Sequence, residues 1–279
     1  MAGISRSDKA VPIHPDNRAL ENALVEIRAI DLEAPWRWII AGWADMKCMM
    51  HISLTYGAVF TVIAIALSYG LTQIGMGSII LALAGGFLLV GPILAVGLYE
   101  GSRRLERGEP IHAKDILLAG FRAPGQLALL GLALLLIYVA WVQTAFLLFM
   151  VFMGTQPFPP IDDFLASLLL TTRGVTLLTI GTIEGAALAT LVFTICAVSA
   201  PMLMDRPVGA AKAILTSVRA VRFNLKPMAL WAVLVAAFII LGLLTLFVGL
   251  VMIFPLIGHA TWHAYRDVVG AERSSSLSD

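Results

Sequence analysis

Long apolar stretches separated by short polar segments set the pattern of this chain. A helix that crosses a bilayer needs about 20 mostly apolar residues, and six stretches reach or approach that length. Apolar–polar alternation is absent from them, so a barrel is not predicted. The pattern predicts an all-α polytopic membrane helix bundle with about six transmembrane helices. The predicted spans are 51–70, 77–99, 125–153, 176–204, 227–246 and 250–266.

Two apolar segments need a separate interpretation. The stretch 227–266 is too long for a single crossing at about 1.5 Å per residue. We therefore expect a tight hairpin between Val248 and Gly249. The segment 161–172 is too short to cross, and we expect it to lie in the outer interface or to dip back into the membrane.

Polar segments flank the membrane domain, which is predicted over 35–268. Residues 1–34 are expected on the cytoplasmic face, and 269–279 are expected to form a disordered tail. Trp36, Trp38 and Trp43 precede the first span. Because tryptophan is enriched at membrane interfaces, we expect an interfacial helix that leads into this span. The first 50 residues contain no early apolar run, so no cleavable signal peptide is expected.

Composition agrees with this class of protein. Hydrophobic residues make up 59% of the 279 residues and charged residues 13%, and the mean hydropathy is +0.89. Too few polar side chains are present to cover a water-soluble globule. The net charge of +1 gives no basic field for nucleic acid. Cys48 and Cys196 are too few for a disulfide framework or a zinc site.

The distribution of basic residues predicts the orientation. With six spans, 18 of the 19 Lys and Arg residues fall on one side and Arg173 alone on the other. Loops rich in Lys and Arg stay on the cytoplasmic side of a membrane. We therefore expect a multi-pass protein of the inner (plasma) membrane with both termini in the cytoplasm.

Two cytoplasmic loops resemble each other when the sequence is shifted by 97 residues. Pro110 matches Pro207, and Arg122 matches Arg219. Each copy lies between two spans in the same orientation, which predicts a parallel duplicated unit with two interfacial amphipathic helices. In the second copy, one helical face carries Ile214, Leu215, Val218 and Val221, and the other carries Lys212, Thr216 and Arg219.

These basic loops are candidates for contact with anionic lipid headgroups or with a partner protein. The alternative is that membrane topology alone shapes them. The run of alternating charges after the second span is predicted to be a solvated helix end with local ion pairs. The candidate contact residues are Arg103, Arg104, Arg107, Lys212, Arg219 and Arg222.

Glu184 is the one ionisable residue deep inside a predicted span. It shares a helical face with Gly181, Gly185 and Leu188, and small residues at this spacing favour close helix packing. The carboxyl group could form a structural hydrogen bond, handle protons or cations, or contact another subunit. Gln143 and Thr144 are candidate partners for the structural bond.

His259 and His263 are four residues apart, a spacing that can hold a metal or present a haem ligand. The other histidines lie at or outside the cytoplasmic boundary, so we favour an interfacial belt with the neighbouring aromatic residues. No Walker loop, nucleophile elbow or metalloprotease motif occurs. We therefore expect no catalytic site, no metal and no cofactor.

Several cytoplasmic segments resemble a family of bacterial predicted integral membrane proteins, domain of unknown function 2189. The likeness extends over roughly 25–268 and implies a bacterial inner-membrane protein, but it implies no activity and no catalytic residues. The segments that carry it are 97–109 (GLYEGSRRLERGE), 201–206 (PMLMDR), 213–219, Asn224 with Pro227 and Met228, and 36–43 leading to 53–57 (SLTYG).

Two functions fit these observations. The preferred hypothesis is an accessory or assembly subunit of a larger membrane complex, such as a respiratory or other energy-transducing one. The alternative is a transporter of a small molecule or lipid with Glu184 in its pathway. Expected partners are phospholipids, including anionic ones, and other membrane subunits or further copies of this chain, but no nucleic acid.

Overall fold

The computed structural model describes residues 25–154 and 161–270, and within these residues it is helical without strands. The predicted all-α class is confirmed. The α-helices are α1 (Ala34–Cys48), α2 (Met50–Gln73), α3 (Ile80–Leu94), α4 (Val96–Arg107), α5 (Ala113–Leu117), α6 (Pro124–Met153), α7 (Ile161–Leu170), α8 (Thr172–Cys196), α9 (Ser199–Asp205), α10 (Ala210–Phe223), α11 (Leu225–Leu244) and α12 (Leu250–Val269).

Four helical segments in the described residues are long and apolar enough to cross a membrane: Met50–Gln73, Pro124–Met153, Thr172–Asp205 and Leu225–Leu244. They correspond to four of the six predicted spans. The predicted span 77–99 is divided, because a 3-10 turn (Gly77–Ile79) precedes α3 and a break at Ala95 separates α3 from α4. The predicted span 250–266 falls in α12, which is not among the four.

Helix α12 packs against α1, α2 and α4. Two close backbone approaches depend on glycine. A Cβ at Gly42 of α1 would lie 2.5 Å from the backbone nitrogen of Ala260, and a Cβ at Gly57 of α2 would collide with the carbonyl of Val251. The α1–α2 pair therefore runs along α12 at a distance that a larger side chain would prevent.

A second group of helices consists of α3, α6 and α8, with the short α7 against α8. At the far end of this group, Phe149, Phe164, Leu168 and Leu177 form a small separate core. Helix α7 has ten residues, about 15 Å of helix, so the predicted segment 161–172 is too short to cross. A Cβ at Gly174 would collide with the carbonyl of Ser167, so the corner between α7 and α8 is tight.

Helices α11 and α12 form the predicted hairpin, with the turn between Thr245 and Gly249. The Thr61 hydroxyl of α2 donates a hydrogen bond to the Phe247 carbonyl in this turn, with 3.4 Å between the oxygens. Helix α2 continues beyond Thr61 to Gln73, which adds about 18 Å of helix. The hairpin therefore ends beside the middle of α2.

Residues 25–33 of the predicted polar segment 1–34 are attached to the bundle. The Arg28 amide donates to the Val268 carbonyl, and Asn224 binds both the Ile30 amide and the Arg28 carbonyl. Helix α12 ends at Val269. Residues 1–24 and 271–279, and with them most of the predicted tail, lie outside the described residues.

Candidate functional site

The segment GLYEGSRRLERGE forms α4 and the turn that follows it. Gly97 and Gly101 face close neighbours, and a Cβ at Gly97 would lie 2.8 Å from the Ile116 carbonyl. Gly108 ends the helix in the left-handed region, with φ of 64°, where glycine is favoured. The glycines thus let α4 pack closely and then turn sharply.

Glu100 and Arg103 form a buried ion pair on α4. Each residue exposes 1% of its surface. The Arg103 Nε donates to Glu100 Oε2 at 2.8 Å, and Nη2 donates to Oε1 at 2.9 Å. Arg103 also donates to both carboxylate oxygens of Glu109, at 3.2 and 3.0 Å. The guanidinium is held between two carboxylates.

Two further arginines complete the coordination of Glu100. Arg104 and Arg122 both donate to Glu100 Oε1, at 2.7 and 3.0 Å. Burial raises the pKa of Glu100, but the hydrogen bonds from Arg103 and Arg104 outweigh it, and the pKa lies below its ordinary value. The pKa of Glu109 is also lowered, chiefly by the hydrogen bond from Arg103. Both carboxyl groups are therefore charged at neutral pH.

This geometry corrects two predictions. The charged run after the second predicted span is not simply a solvated helix end, because Glu100 and Arg103 are buried in it. Arg103 is not a lipid or partner contact, because both faces of its guanidinium fork are occupied by carboxylates of the same chain. Sequence reasoning missed this because charged residues are rarely buried without partners, and one partner, Arg122, lies 22 residues away.

The two histidines of α12 are separated by their partners. His259 is fully buried, with Ser53 Oγ 2.9 Å from Nε2 and Ser102 Oγ 2.8 Å from Nδ1. His263 Nε2 lies 2.8 Å from Asp45 Oδ2. They are internal packing residues rather than the predicted interfacial belt. No group of three His, Cys, Asp or Glu in the described ranges could hold a metal ion.

The end of α12 is joined to α4 and α9 by acidic groups. Asp205 accepts from the Tyr265 hydroxyl at 2.7 Å and from Arg107 at 2.8 Å. Glu106 accepts from the Trp262 indole and from Arg266, both at 2.9 Å. Together with the Glu100 cluster, these contacts form the polar clamp, which we define as Glu100, Arg103, Arg104, Glu106, Glu109, Arg122, Asp205, Trp262, Tyr265 and Arg266.

Helix α1 is fixed to the same end of the bundle. The Trp38 indole donates to Asp267 at 2.9 Å, and its ring meets the Trp231 ring edge-on, with centroids 5.6 Å apart. Trp38 is buried, whereas Trp36 and Trp43 are exposed. Of the three tryptophans predicted to mark an interface, Trp38 is thus a core residue. The polar clamp and α1 bring basic segments from four distant parts of the chain to one end of the bundle.

The packing face of α10 differs from the predicted one. Its buried residues are mostly small: Ala210, Ala213, Thr216, Ser217, Ala220 and Val221. Ser217 accepts from the Val198 amide and donates to the Thr194 carbonyl, so it bridges the break between α8 and α9. Leu215 is exposed. The predicted apolar stripe therefore points partly outward, and Thr216, predicted on the polar face, is buried.

The remaining predicted contact residues have different surroundings. Arg104 is partly buried on Glu100, and Arg107 is exposed but bound to Asp205. On α10, Lys212 is half-buried, while Arg219 and Arg222 are exposed. Exposed apolar residues accompany them, with Leu215 at 49% and Phe223 at 64%. This face of α10 keeps the mixed basic and apolar character that an interfacial helix needs.

The two loops that match at a shift of 97 have related but unequal structures. The second copy forms the continuous helix α10, whereas the first is divided into α5 and a 3-10 turn (Ala119–Arg122). Leu118 and its counterpart Leu215 are both exposed. The copies thus share an exposed apolar position, while Arg122 is drawn into the polar clamp and Arg219 is not.

The residues predicted around Glu184 do not act as one packing face. Glu184 and Leu188 are half-buried in α8. A Cβ at Gly185 would lie 3.2 Å from the Trp141 ring, whereas a Cβ at Gly181 would have no atom within 4 Å. Thr144 donates to the carbonyls of Ala140 and Trp141 in its own helix, and Gln143 is exposed. Gly185 alone of the two glycines makes the predicted close contact.

Comparison with known families agrees with the sequence resemblance. A family model described as predicted integral membrane protein (DUF2189) matches residues 79–205. This segment belongs to the DUF2189 family. The match contains the motifs at 97–109 and 201–206, and therefore most carboxylates of the polar clamp. The other resembling segments, at 36–57 and 213–228, lie outside it. No curated protein and no solved structure matches the chain.

Proposed function

We propose that this membrane protein is a non-catalytic accessory or assembly subunit of a larger membrane complex. The observation that carries the proposal is the state of the polar clamp. Its carboxylates and guanidiniums are bound to one another, and Glu100 accepts from three arginines. A carboxylate fixed in this way has a lowered pKa and is a poor general acid or base. The DUF2189 motif thus serves to hold helices together.

The proposed location is a bacterial inner membrane, with the polar clamp and both termini in the cytoplasm. Support comes from the basic residues, which concentrate at the clamp end, while Arg173 lies at the start of α8. Cytoplasmic loops carry the excess of Lys and Arg. Because residues 25–30 and the end of α12 meet at the clamp end, the proposed number of full crossings is even.

We further propose that α11 and α12 enter the membrane without crossing it, so that four crossings replace the predicted six. The turn is bonded beside Thr61, midway along α2. Its Leu246 and Phe247 have φ values of 53° and 69°, a conformation that costs residues other than glycine about 1–2 kcal/mol each. Apolar residues in a strained turn fit a hydrocarbon environment, where the usual Asn or Gly–Asn turn would expose polar groups.

The backbone of this turn also fits burial in lipid. The Thr245 hydroxyl accepts from the Gly249 amide and donates to the Gly242 carbonyl, both at 2.8 Å. The amides of Leu246 and Val248 donate within the turn. Hydrocarbon cannot satisfy free backbone groups, and here Thr61 and Thr245 supply the bonds that water would otherwise make.

Transport through Glu184 has less support. An apolar cavity lies beside α8, but its wall is formed by Gly181, Thr182, Gly185 and Ala189 rather than by Glu184. A pathway for a polar solute would need polar groups on that wall. Glu184 is more consistent with a structural hydrogen bond or with contact to another subunit, the two alternatives that remain.

Native mass spectrometry after mild detergent extraction tests the subunit proposal. We expect the tagged chain to leave the membrane with one partner protein at a fixed ratio. Glu184→Gln, compared with Glu33→Gln at the exposed start of α1, shows whether the carboxyl group contacts that partner. A lone monomer in every mild detergent, at normal expression, would contradict the proposal.

A further inference from the structure

An elongated apolar cavity lies between α3, α6, α7 and α8. Its volume is about 300 Å3, within the range of ligand pockets. Leucine, phenylalanine and other apolar side chains form nearly all of its wall, and Leu81 and Leu178 at its side are 47% and 36% exposed. An apolar cavity of this kind stays free of water, so an apolar occupant is required to fill it.

The cavity is a slot parallel to the helices. On α3 and its preceding turn the wall extends from Ser78 to Leu89, and on α8 from Leu177 to Ala189. At 1.5 Å per residue these distances are about 16 and 18 Å. The hydrocarbon core of one leaflet is about 15 Å deep, half of the bilayer value. The slot therefore has the length and direction of one lipid chain.

Gly181 leaves the slot open. A Cβ at this position would meet no atom within 4 Å, although the residue lies on the cavity wall. Gly185, one turn further on, is instead filled by Trp141, whose ring would lie 3.2 Å from an added Cβ. The Trp141 indole donates to the Ala82 carbonyl at 2.7 Å, which fixes the ring between α3 and α8. Trp141 thus forms a rigid wall, and Gly181 keeps the space beside it.

We propose that this slot is a binding site for one acyl chain of a membrane phospholipid. Its apolar wall, its length of one leaflet and its alignment with the crossing helices match that occupant. The exposed edge at Leu81 and Leu178 gives a chain lateral access from the bilayer. This site goes beyond the proposed subunit function, because it requires no partner protein and is tested with the isolated chain.

Gly181→Leu tests the site, because the new side chain fills the slot without striking an atom of the wall at Cβ. Gly70→Leu is the matched control, since a Cβ at Gly70 also meets nothing within 4 Å and Gly70 lies outside the slot, on α2. The purified full chains are titrated with palmitoyl-oleoyl phosphatidylethanolamine in detergent, and bound lipid is counted by native mass spectrometry.

We expect one retained phospholipid on the wild-type chain and on Gly70→Leu, and at least about tenfold weaker binding to Gly181→Leu, a change of about 1.4 kcal/mol. Equal retention by Gly181→Leu would overturn the site. So would a wild-type chain that is dimeric and lipid-free and becomes monomeric on this substitution, since a second copy would then fill the slot.

A measurement on the wild-type chain covers the case in which Gly181→Leu fails to fold. A phosphatidylethanolamine with a photoreactive diazirine in its acyl chain is added at one lipid per protein and irradiated. We expect labelled peptides from the slot walls, around 141–149 and 177–189. Labelling that is no greater there than on the outward face of α2 would contradict the proposal.

Discussion

Glu100 and Arg103 lie one helical turn apart on α4 and bind each other through two hydrogen bonds of 2.8 and 2.9 Å, with each residue 1% exposed. Arg103 passes the contact on to Glu109, and Glu100 passes it on to Arg104 and Arg122. A buried pair of this kind needs all of its partners, because removing one leaves an uncompensated charge.

Glu100→Gln is therefore expected to destabilise the protein strongly. The amide keeps the shape of the side chain but leaves Arg103 and Arg104 short of one negative charge in a buried setting. Breaking a buried ion pair typically costs about 3–5 kcal/mol. Thermal unfolding in detergent, followed by circular dichroism, measures the change. Glu33→Gln, at an exposed position, should be close to neutral, and equal effects of the two substitutions would refute a special role for Glu100.

The polar clamp also predicts a loss of stability in acid. Glu100 and Glu109 have pKa values below their ordinary 4.5 in the folded protein. Their contribution is therefore fully present above pH 4.5 and is lost as the pH falls through their lowered folded pKa values. The melting temperature should show this loss only in that acidic range. The same loss in Glu100→Gln, undiminished, would assign it to other groups.

Close packing of α1 on α12 is testable at Gly42. A Cβ there would lie 2.5 Å from the Ala260 nitrogen and 2.8 Å from its Cα, and backbone atoms cannot move aside cheaply. Overpacking of this kind costs about 1–3 kcal/mol. Gly42→Ala should lower the melting temperature in detergent, whereas Gly70→Ala, in open space, should not. A neutral Gly42→Ala would show that α1 is not held against α12 as described.

The exposed face of α10 should bind anionic lipid. Lys212, Arg219 and Arg222 accompany exposed Leu215 and Phe223 on this helix, and each basic residue near an anionic surface contributes about 1 kcal/mol. Arg219→Gln with Arg222→Gln should weaken retention of phosphatidylglycerol by the purified chain, increasingly so at low salt. Retention of phosphatidylcholine serves as the control. Equal loss of both lipids would argue against a headgroup contact.

Apolar length and helical pattern were sufficient for the class of fold, four of the spans and the hairpin near Val248. They could not show how deep the hairpin reaches, because length along the chain carries no information about depth. That limit depends on Thr61 binding Phe247, a contact between residues 186 positions apart. Helix α10 shows a related limit, since the size of its alanines and serines, rather than their hydrophobicity, decided which face is buried.

The candidate site was harder to predict for a similar reason. The motif residues of α4 were recognised, but their burial depends on Asp205, Arg122 and α12, which meet only in three dimensions. Trp38 carried the same signal as Trp36 and Trp43 until the fold placed Trp231 and Asp267 beside it. The cavity beside Gly181 was not predictable, because the same small-residue spacing usually indicates closed packing.

Thiol labelling from each side of the membrane tests the central arrangement most directly. Single cysteines at Lys114, Arg173 and Leu246, in a background of Cys48→Ser and Cys196→Ala, are treated with an impermeant maleimide in intact cells and in inverted vesicles. We predict labelling of Lys114→Cys only in inverted vesicles, of Arg173→Cys only in intact cells, and of Leu246→Cys in neither until detergent is added. Labelling of Lys114→Cys in intact cells would reverse the orientation, and labelling of Leu246→Cys there would restore six crossings.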